Sequence, residues 1–157
     1  MELFLIRHAI AVARDPTVPD PQRPLSCRGR KRFKQVTLAL QYLGVCLDRL
    51  YCSPWQRAVE TAELLLPLLD GESICSPALI RAPDQALLEE IRGNRVALVG
   101  HEPWLGALLV WLTTGSRTAS NAFLLKRGGV AWLEGQLDPG LMILRAFLPP
   151  KVLRSLA

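Results

Sequence analysis

The sequence predicts an α/β protein of three layers, with helices on both faces of a mostly parallel central sheet and an antiparallel hairpin at one edge. Short apolar runs rich in β-branched or aromatic residues alternate with segments of helical spacing through residue 99. The last two such runs have no helix between them; Leu137, Asp138, Pro139 and Gly140 join them as a turn. A length of 157 residues, 50% hydrophobic and 21% charged, suits a single globular domain covering residues 1–157.

Residues 2–6 (ELFLI) read as a buried strand, interrupted by Arg7 and His8. Residues 15–24 (DPTVPDPQRP) hold four prolines, which excludes helix and central strand and leaves a surface loop over the sheet. Helical spacing covers residues 26–42, with Gly44 placed as a C-terminal stop. A second strand spans 49–52. Ser53 and Pro54 then fit an N-cap followed by proline at the first helical position, opening a helix over 56–69. Further strands at 72–75 and 96–99 flank a helix over 84–91. Residues 113–121 (TTGSRTASN) read as a polar loop, and 129–133 and 141–148 as the hairpin strands.

Several function classes fall away on composition. The N-terminal apolar run lacks a preceding basic segment, so it does not read as a secretory leader. The longest apolar stretch, 103–112, is shorter than the ~20 residues a spanning helix needs. The expectation is a cytoplasmic protein without membrane association. Cys27, Cys46, Cys52 and Cys75 form no Cys-x-x-Cys pair and have no histidine at ligand spacing, so no metal site is expected. The net charge is +5, but only the run from Arg28 to Lys34 (RGRKRFK) is densely basic. It reads either as a solvated helix face or as a dock for an acidic or phosphorylated partner. Nucleic acid is not expected, because Phe33 is the only aromatic residue within the run.

In an open parallel sheet, ligands bind at the carboxyl ends of the strands. Three predicted strands end in polar motifs: LIRHA at 5–9, CSPWQRAVETA at 52–62 and LVGHEPWL at 98–105. Singly, each has a structural alternative: a hydrogen-bonded histidine, an exposed arginine, a helix-start glutamate. Yet both histidines of the chain, His8 and His101, fall at such ends. Arg7 and Arg57 supply forked donors suited to a tetrahedral dianion, so a phosphoryl group is the natural ligand. Nearby cations favour a neutral imidazole, which can act as a nucleophile. His8 takes that role, and His101 would donate to a phosphoryl oxygen.

These residues resemble the histidine phosphatase superfamily. The resemblance is carried by Arg7-His8-Ala9, Arg23-Pro24-Leu25-Ser26 with Gly29, Ser53-Pro54 with Arg57-Ala58 and Thr61-Ala62, Gly100-His101-Glu102-Pro103, and Lys126-Arg127-Gly128-Gly129. It is closest to the small bacterial branch that acts on phosphohistidine. It implies a phosphoglycerate mutase-like fold and a two-step reaction through phosphorylated His8. Arg7, Arg57 and His101 match the family's phosphate pocket, and Arg23 matches a position that often faces it; no cofactor or metal is implied. Ala9 stands where larger members carry glycine.

Members acting on esters usually supply a carboxylic acid after the third strand to protonate the leaving oxygen. Asp84, Glu89 and Glu90 lie there without matching it, and Glu102 or Asp15 could serve instead. Phosphohistidine needs no such acid, since its second ring nitrogen can be protonated in advance. The expectation is therefore a metal-independent, monomeric phosphohistidine phosphatase in signal transduction, acting on a protein such as a phosphotransfer domain that docks on the basic run. The alternatives are a small-metabolite phosphomonoesterase or mutase, and a phosphoprotein-binding module without turnover.

Overall fold

A computed structural model describes residues 1–117 and 123–157. Six strands, β1 (Glu2–Arg7), β2 (Leu47–Cys52), β3 (Leu69–Cys75), β4 (Arg95–Gly100), β5 (Val130–Gly135) and β6 (Met142–Leu148), form one sheet in the order β3-β2-β4-β1-β5-β6. β3, β2, β4 and β1 run parallel; β5 is antiparallel to both β1 and β6. The predicted mixed edge is thus present.

Among the described residues, five helices cover the sheet: α1 (Cys27–Tyr42), α2 (Gln56–Leu65), α3 (Gln85–Glu90), α4 (Trp104–Thr114) and α5 (Pro150–Arg154). Alternate residues of β1 feed two cores. Phe4 and Ile6 pack with Phe33, Leu40, Leu65 and Leu153 from α1, α2 and α5. Leu3 and Leu5 pack with Leu87, Leu108 and Leu112 from α3 and α4. The central strands β1 and β4 are therefore buried on both faces, as parallel strands between helix layers must be.

Local chemistry explains the boundaries. Ser26 caps α1 by accepting the Gly29 N–H at 3.0 Å. At the other end Gly44, at φ 76°, donates to Gln41 O while Val45 donates to Leu40 O, a Schellman closure at the predicted stop. Asp84 caps α3 through the Leu87 N–H.

Some expectations need correction. Ser53 does not cap α2: its Oγ accepts from Trp55 N–H at 3.3 Å, and α2 begins only after Trp55, with Pro54 outside the helix. The helix predicted to reach residue 69 stops at Leu65, because Pro67 turns the chain into a 3₁₀ segment and β3 starts at Leu69. The apolar run after Pro103 is helix α4, buried along most of its length. Thr113 and Thr114 of the predicted polar loop belong to α4, and the last part of that loop lies outside the described residues. α5 was not predicted; Pro150 begins it and the fully buried Leu153 anchors it to α1. Among the described residues, no helix is long and apolar enough to cross a membrane.

The connections place the site. β1 leads through α1 on one face, whereas β4 leads through α4 on the other. β1 and β4 are adjacent and in register, with Arg7 opposite Gly100. The crevice between their carboxyl ends, where the chain departs in opposite directions, is the switch point at which open α/β sheets bind ligands.

Candidate active site

His8 and His101 follow β1 and β4 directly, so the sheet register brings them together, with ring centroids 5.0 Å apart. A cleft of about 540 Å³ opens over them, and Arg7, Arg23 and Arg57 also line it. All five residues singled out from the sequence therefore meet at one place.

The tautomer of His8 follows from its partners. Nδ1 lies 2.7 Å from Ala9 O, and a carbonyl can only accept, so Nδ1 carries the proton. Nε2 is then a lone-pair nitrogen, and it accepts from Arg57 Nε–H at 3.3 Å. His8 and Arg57 are 6% and 3% exposed. Burial, and then the charges of Arg57 and Arg7 among its neighbours, lower the His8 pKa to about 3. Burial also lowers His101 to about 4, assisted by Arg57. Both imidazoles are neutral at pH 7.

The His101 ring packs against Trp55, and its Nε2 lies 2.8 Å from Ser53 Oγ. Ser53 Oγ accepts from Trp55 N–H, and among the described residues its own proton has no other acceptor than Nε2. With Ser53 donating there, Nδ1 of His101 carries the proton; it is buried and has no hydrogen-bond partner among the described residues. Trp55 also lies under Arg57, with the guanidinium carbon 4.4 Å from the ring centre.

The arginines are held by backbone and carboxylate. Arg7 donates to Leu125 O at 2.6 Å, and Arg23 to Val12 O at 3.0 Å. Arg57 donates through both terminal nitrogens to Asp20, one to its carbonyl and one to Oδ2. Asp20 Oδ1 also pairs with Arg23 at 3.0 Å and Arg14 at 3.5 Å.

Asp20 was missed in the sequence, where it lay inside a loop read only as cover. Its spacing three residues before Arg23 was the available signal. These guanidinium groups hold its carboxyl below the usual range against a desolvation that pushes it up. As an anion among three arginines it competes with any incoming dianion. Replacing Asp20 by Asn is expected to tighten inorganic phosphate three- to tenfold by calorimetry; weaker binding would mean that Asp20 mainly orients Arg57.

The remaining carboxylates are committed elsewhere. Glu102 accepts Leu125 N–H at 2.7 Å and Gly106 N–H at 3.1 Å, one on each oxygen. It thereby fixes the segment whose Leu125 carbonyl holds Arg7. Glu60, a second omission, is 4% exposed; it accepts from Leu25 N–H and pairs with Arg30 at 2.7 Å. Arg30 is thus tied to a buried carboxylate, whereas Arg28, Lys31 and Lys34 are exposed. Asp15 is exposed and bonded to Thr17, and Asp84, Glu89 and Glu90 do not line the cleft.

Two glycines of the motifs are structurally required. A Cβ on Gly29 would lie 2.0 Å from Ile10 O, so α1 could not approach the segment after His8. Gly128, at φ 78°, donates its N–H to Arg7 O and His8 O. Among the described residues, no group of three or more His, Cys, Asp or Glu could hold a metal ion.

The two lowered histidine values carry a pH signature. Unfolded histidine titrates near 6.5, so between about pH 6.5 and 3 the unfolded chain binds more protons than the native one. This contribution to stability is present above pH 6.5 and is lost as pH falls. Urea midpoints should therefore decline from pH 6.5 towards 4, and replacing either histidine by Asn should flatten that decline.

The family model described as histidine phosphatase superfamily (branch 1) matches residues 3–81. An uncharacterized protein of Picosynechococcus sp. is 32% identical over 158 residues, covering 92% of this chain and 95% of its own. Among solved structures, the protein histidine phosphatase SixA complexed with tungstate superposes with a TM-score of 0.78 at 23% identity, covering 96% of this chain and 98% of its own. A phosphoserine phosphatase from Entamoeba histolytica, in complex with 3-phosphoglyceric acid, gives 0.72 at 18% identity, with 97% and 98% covered. These likenesses show a shared fold.

Proposed function

Because this chain belongs to the histidine phosphatase superfamily, we propose that it is a phosphatase that removes phosphoryl groups from phosphohistidine on a partner protein. One observation carries the choice of substrate: neither carboxylate lining the cleft is available as a proton donor. Asp20 is an ion held by arginines, and both Glu102 oxygens accept backbone N–H groups. An alkoxide leaving group would depart unprotonated, whereas an imidazole leaves neutral once its second nitrogen carries a proton.

The geometry supports the following roles. Arg7, Arg23 and Arg57 bind the phosphoryl oxygens, with phosphate displacing the Asp20 carboxylate from Arg57. His8 Nε2 attacks phosphorus; its bond to phosphorus forms as the bond to the substrate imidazole breaks. His101 donates from Nδ1 to an oxygen on which charge builds up. Water then attacks phospho-His8 and releases phosphate. The bound tungstate of the SixA structure is likewise a tetrahedral oxyanion.

The partner surface is proposed to include the outward cations of α1. Arg32 lies near Arg28 and Arg154, and together with Arg127 it lines a small depression beside the cleft; Arg127 also lines the cleft itself. This basic stripe would meet an acidic face around the phosphohistidine. Changing Arg32 and Arg154 to Glu should raise KM for a phosphorylated protein at least tenfold at low salt, and leave a small phosphoramidate within twofold. Equal effects on both substrates would reject docking there.

The deciding experiment offers the protein, with chelator present, a phosphohistidine-bearing phosphotransfer domain, phosphoserine and an aryl phosphate. Phosphate release from the first at least a hundredfold faster than from the esters is expected. Faster ester hydrolysis would instead assign a small-metabolite phosphatase.

A further inference from the structure

Two of the four cysteines are direct neighbours in the sheet. Cys52 and Cys75 end β2 and β3 and are partners in that parallel ladder, and the next N–H, that of Ser76, donates to Cys52 O at 2.8 Å. Partners in a parallel pair project to the same face. Neighbouring strands lie roughly 4.8 Å apart, inside the window of about 4.4–6.8 Å that disulfides span between Cα atoms. The two thiols interact, and burial followed by the neighbouring Cys75 pushes the Cys52 thiol up to about 11. Cys52 is buried, whereas Cys75 is exposed. Cys27 opens α1 and Cys46 follows the turn beyond its far end, with the 16-residue helix, roughly 24 Å long, between them.

We propose that a low-molecular-weight disulfide converts Cys52 and Cys75 into a reversible cross-link that staples edge strand β3 to β2 and leaves the phosphate cleft intact. The exposed Cys75 thiolate attacks one sulfur of the reagent, expels one thiolate and forms a mixed disulfide. The Cys52 thiolate then attacks Cys75 Sγ and expels the second thiolate. The two protein thiols lose two electrons and two protons, and the reagent ends as two thiols. The high Cys52 pKa makes the second step slow at neutral pH.

The position explains both parts of the proposal. β3 is the sheet edge, exposed along most of its length and paired only with β2, so it depends on that ladder for its place. A bond between residues 52 and 75 closes the loop that contains α2, which restricts the unfolded chain. Ladder partners at the usual spacing of neighbouring strands already suit the bond. Ser53, the next residue, therefore keeps its contact with His101. This inference does not depend on the substrate proposed above.

Full-length protein would be incubated with glutathione disulfide, alkylated, digested without reductant and analysed by mass spectrometry. A Cys52–Cys75 linked peptide is expected, while Cys27 stops at a glutathione adduct. The melting temperature should rise by roughly 5–10 °C, reversibly with dithiothreitol. Affinity for inorganic phosphate should stay within twofold. Cys75→Ser, at an exposed position, should lose both the linked peptide and the rise, and Cys52→Ala should agree. Absence of the linked peptide after prolonged incubation, a fall in melting temperature on its formation, or a larger change in phosphate affinity would overturn the proposal.

Discussion

Replacing His8 with Ala is expected to reduce turnover by at least about 10⁴-fold, because among the described residues the other unprotonated ring nitrogen of the cleft, His101 Nε2, is engaged by Ser53. His8 Nε2 is identified as that nitrogen by two independent partners, a carbonyl on Nδ1 and a guanidinium on Nε2. The arginines keep their other anchors when the ring is removed: Arg57 retains Asp20, and Arg7 retains Leu125. Phosphate affinity should therefore change by less than about tenfold, so chemistry and binding separate cleanly. In the wild-type protein, rapid alkaline quenching and intact-mass analysis should trap a phosphorylated form that the variant lacks. An unchanged rate in His8→Ala would remove the nucleophile assignment altogether.

Replacing Arg57 with Lys tests shape rather than charge. The guanidinium bonds in three directions at once, from Nε to His8 and from its terminal nitrogens to the Asp20 carbonyl and carboxylate, while its plane lies over Trp55. An ammonium group cannot span those positions. Removing one oriented donor from a site that stabilises developing charge costs on the order of 10²–10³ in rate. A loss of at least a hundredfold in kcat/KM is expected, with the melting temperature within a few degrees of the parent. Near-normal kinetics would show that positive charge alone suffices.

The groups proposed to react were legible in the sequence because each follows a short apolar run that reads as a strand. A buried strand fixes where its next residue emerges, so Arg7, His8 and His101 were placed by the sheet itself. Arg57 followed from its position one residue into a helix whose approach was readable. Asp20 was not legible in the same way. Its role depends on a 3₁₀ turn, Asp20–Gln22, that folds a proline-rich loop back onto α2, and no periodicity reports such a contact. Glu60 was hidden for a related reason: a helical carboxylate reads as exposed unless a distant loop, here at Leu25, needs its oxygen. Ser53 was noticed as a cap, but its hydroxyl faces a histidine 48 residues away.

The division between β1 and β4 has a consequence for how such a protein can diversify. Its two histidines stand on neighbouring central strands locked in register from Glu2 to Arg7, while the rim of the cleft comes from segments that leave the sheet on opposite sides. Lengthening the turn around Ile80 would reshape what can enter without moving either imidazole, whereas the proline-rich loop also carries Arg23 and the Asp20 that holds Arg57. Selectivity can therefore vary on one side of the cleft while the hydrogen-bond ladder beneath keeps the two imidazoles in place.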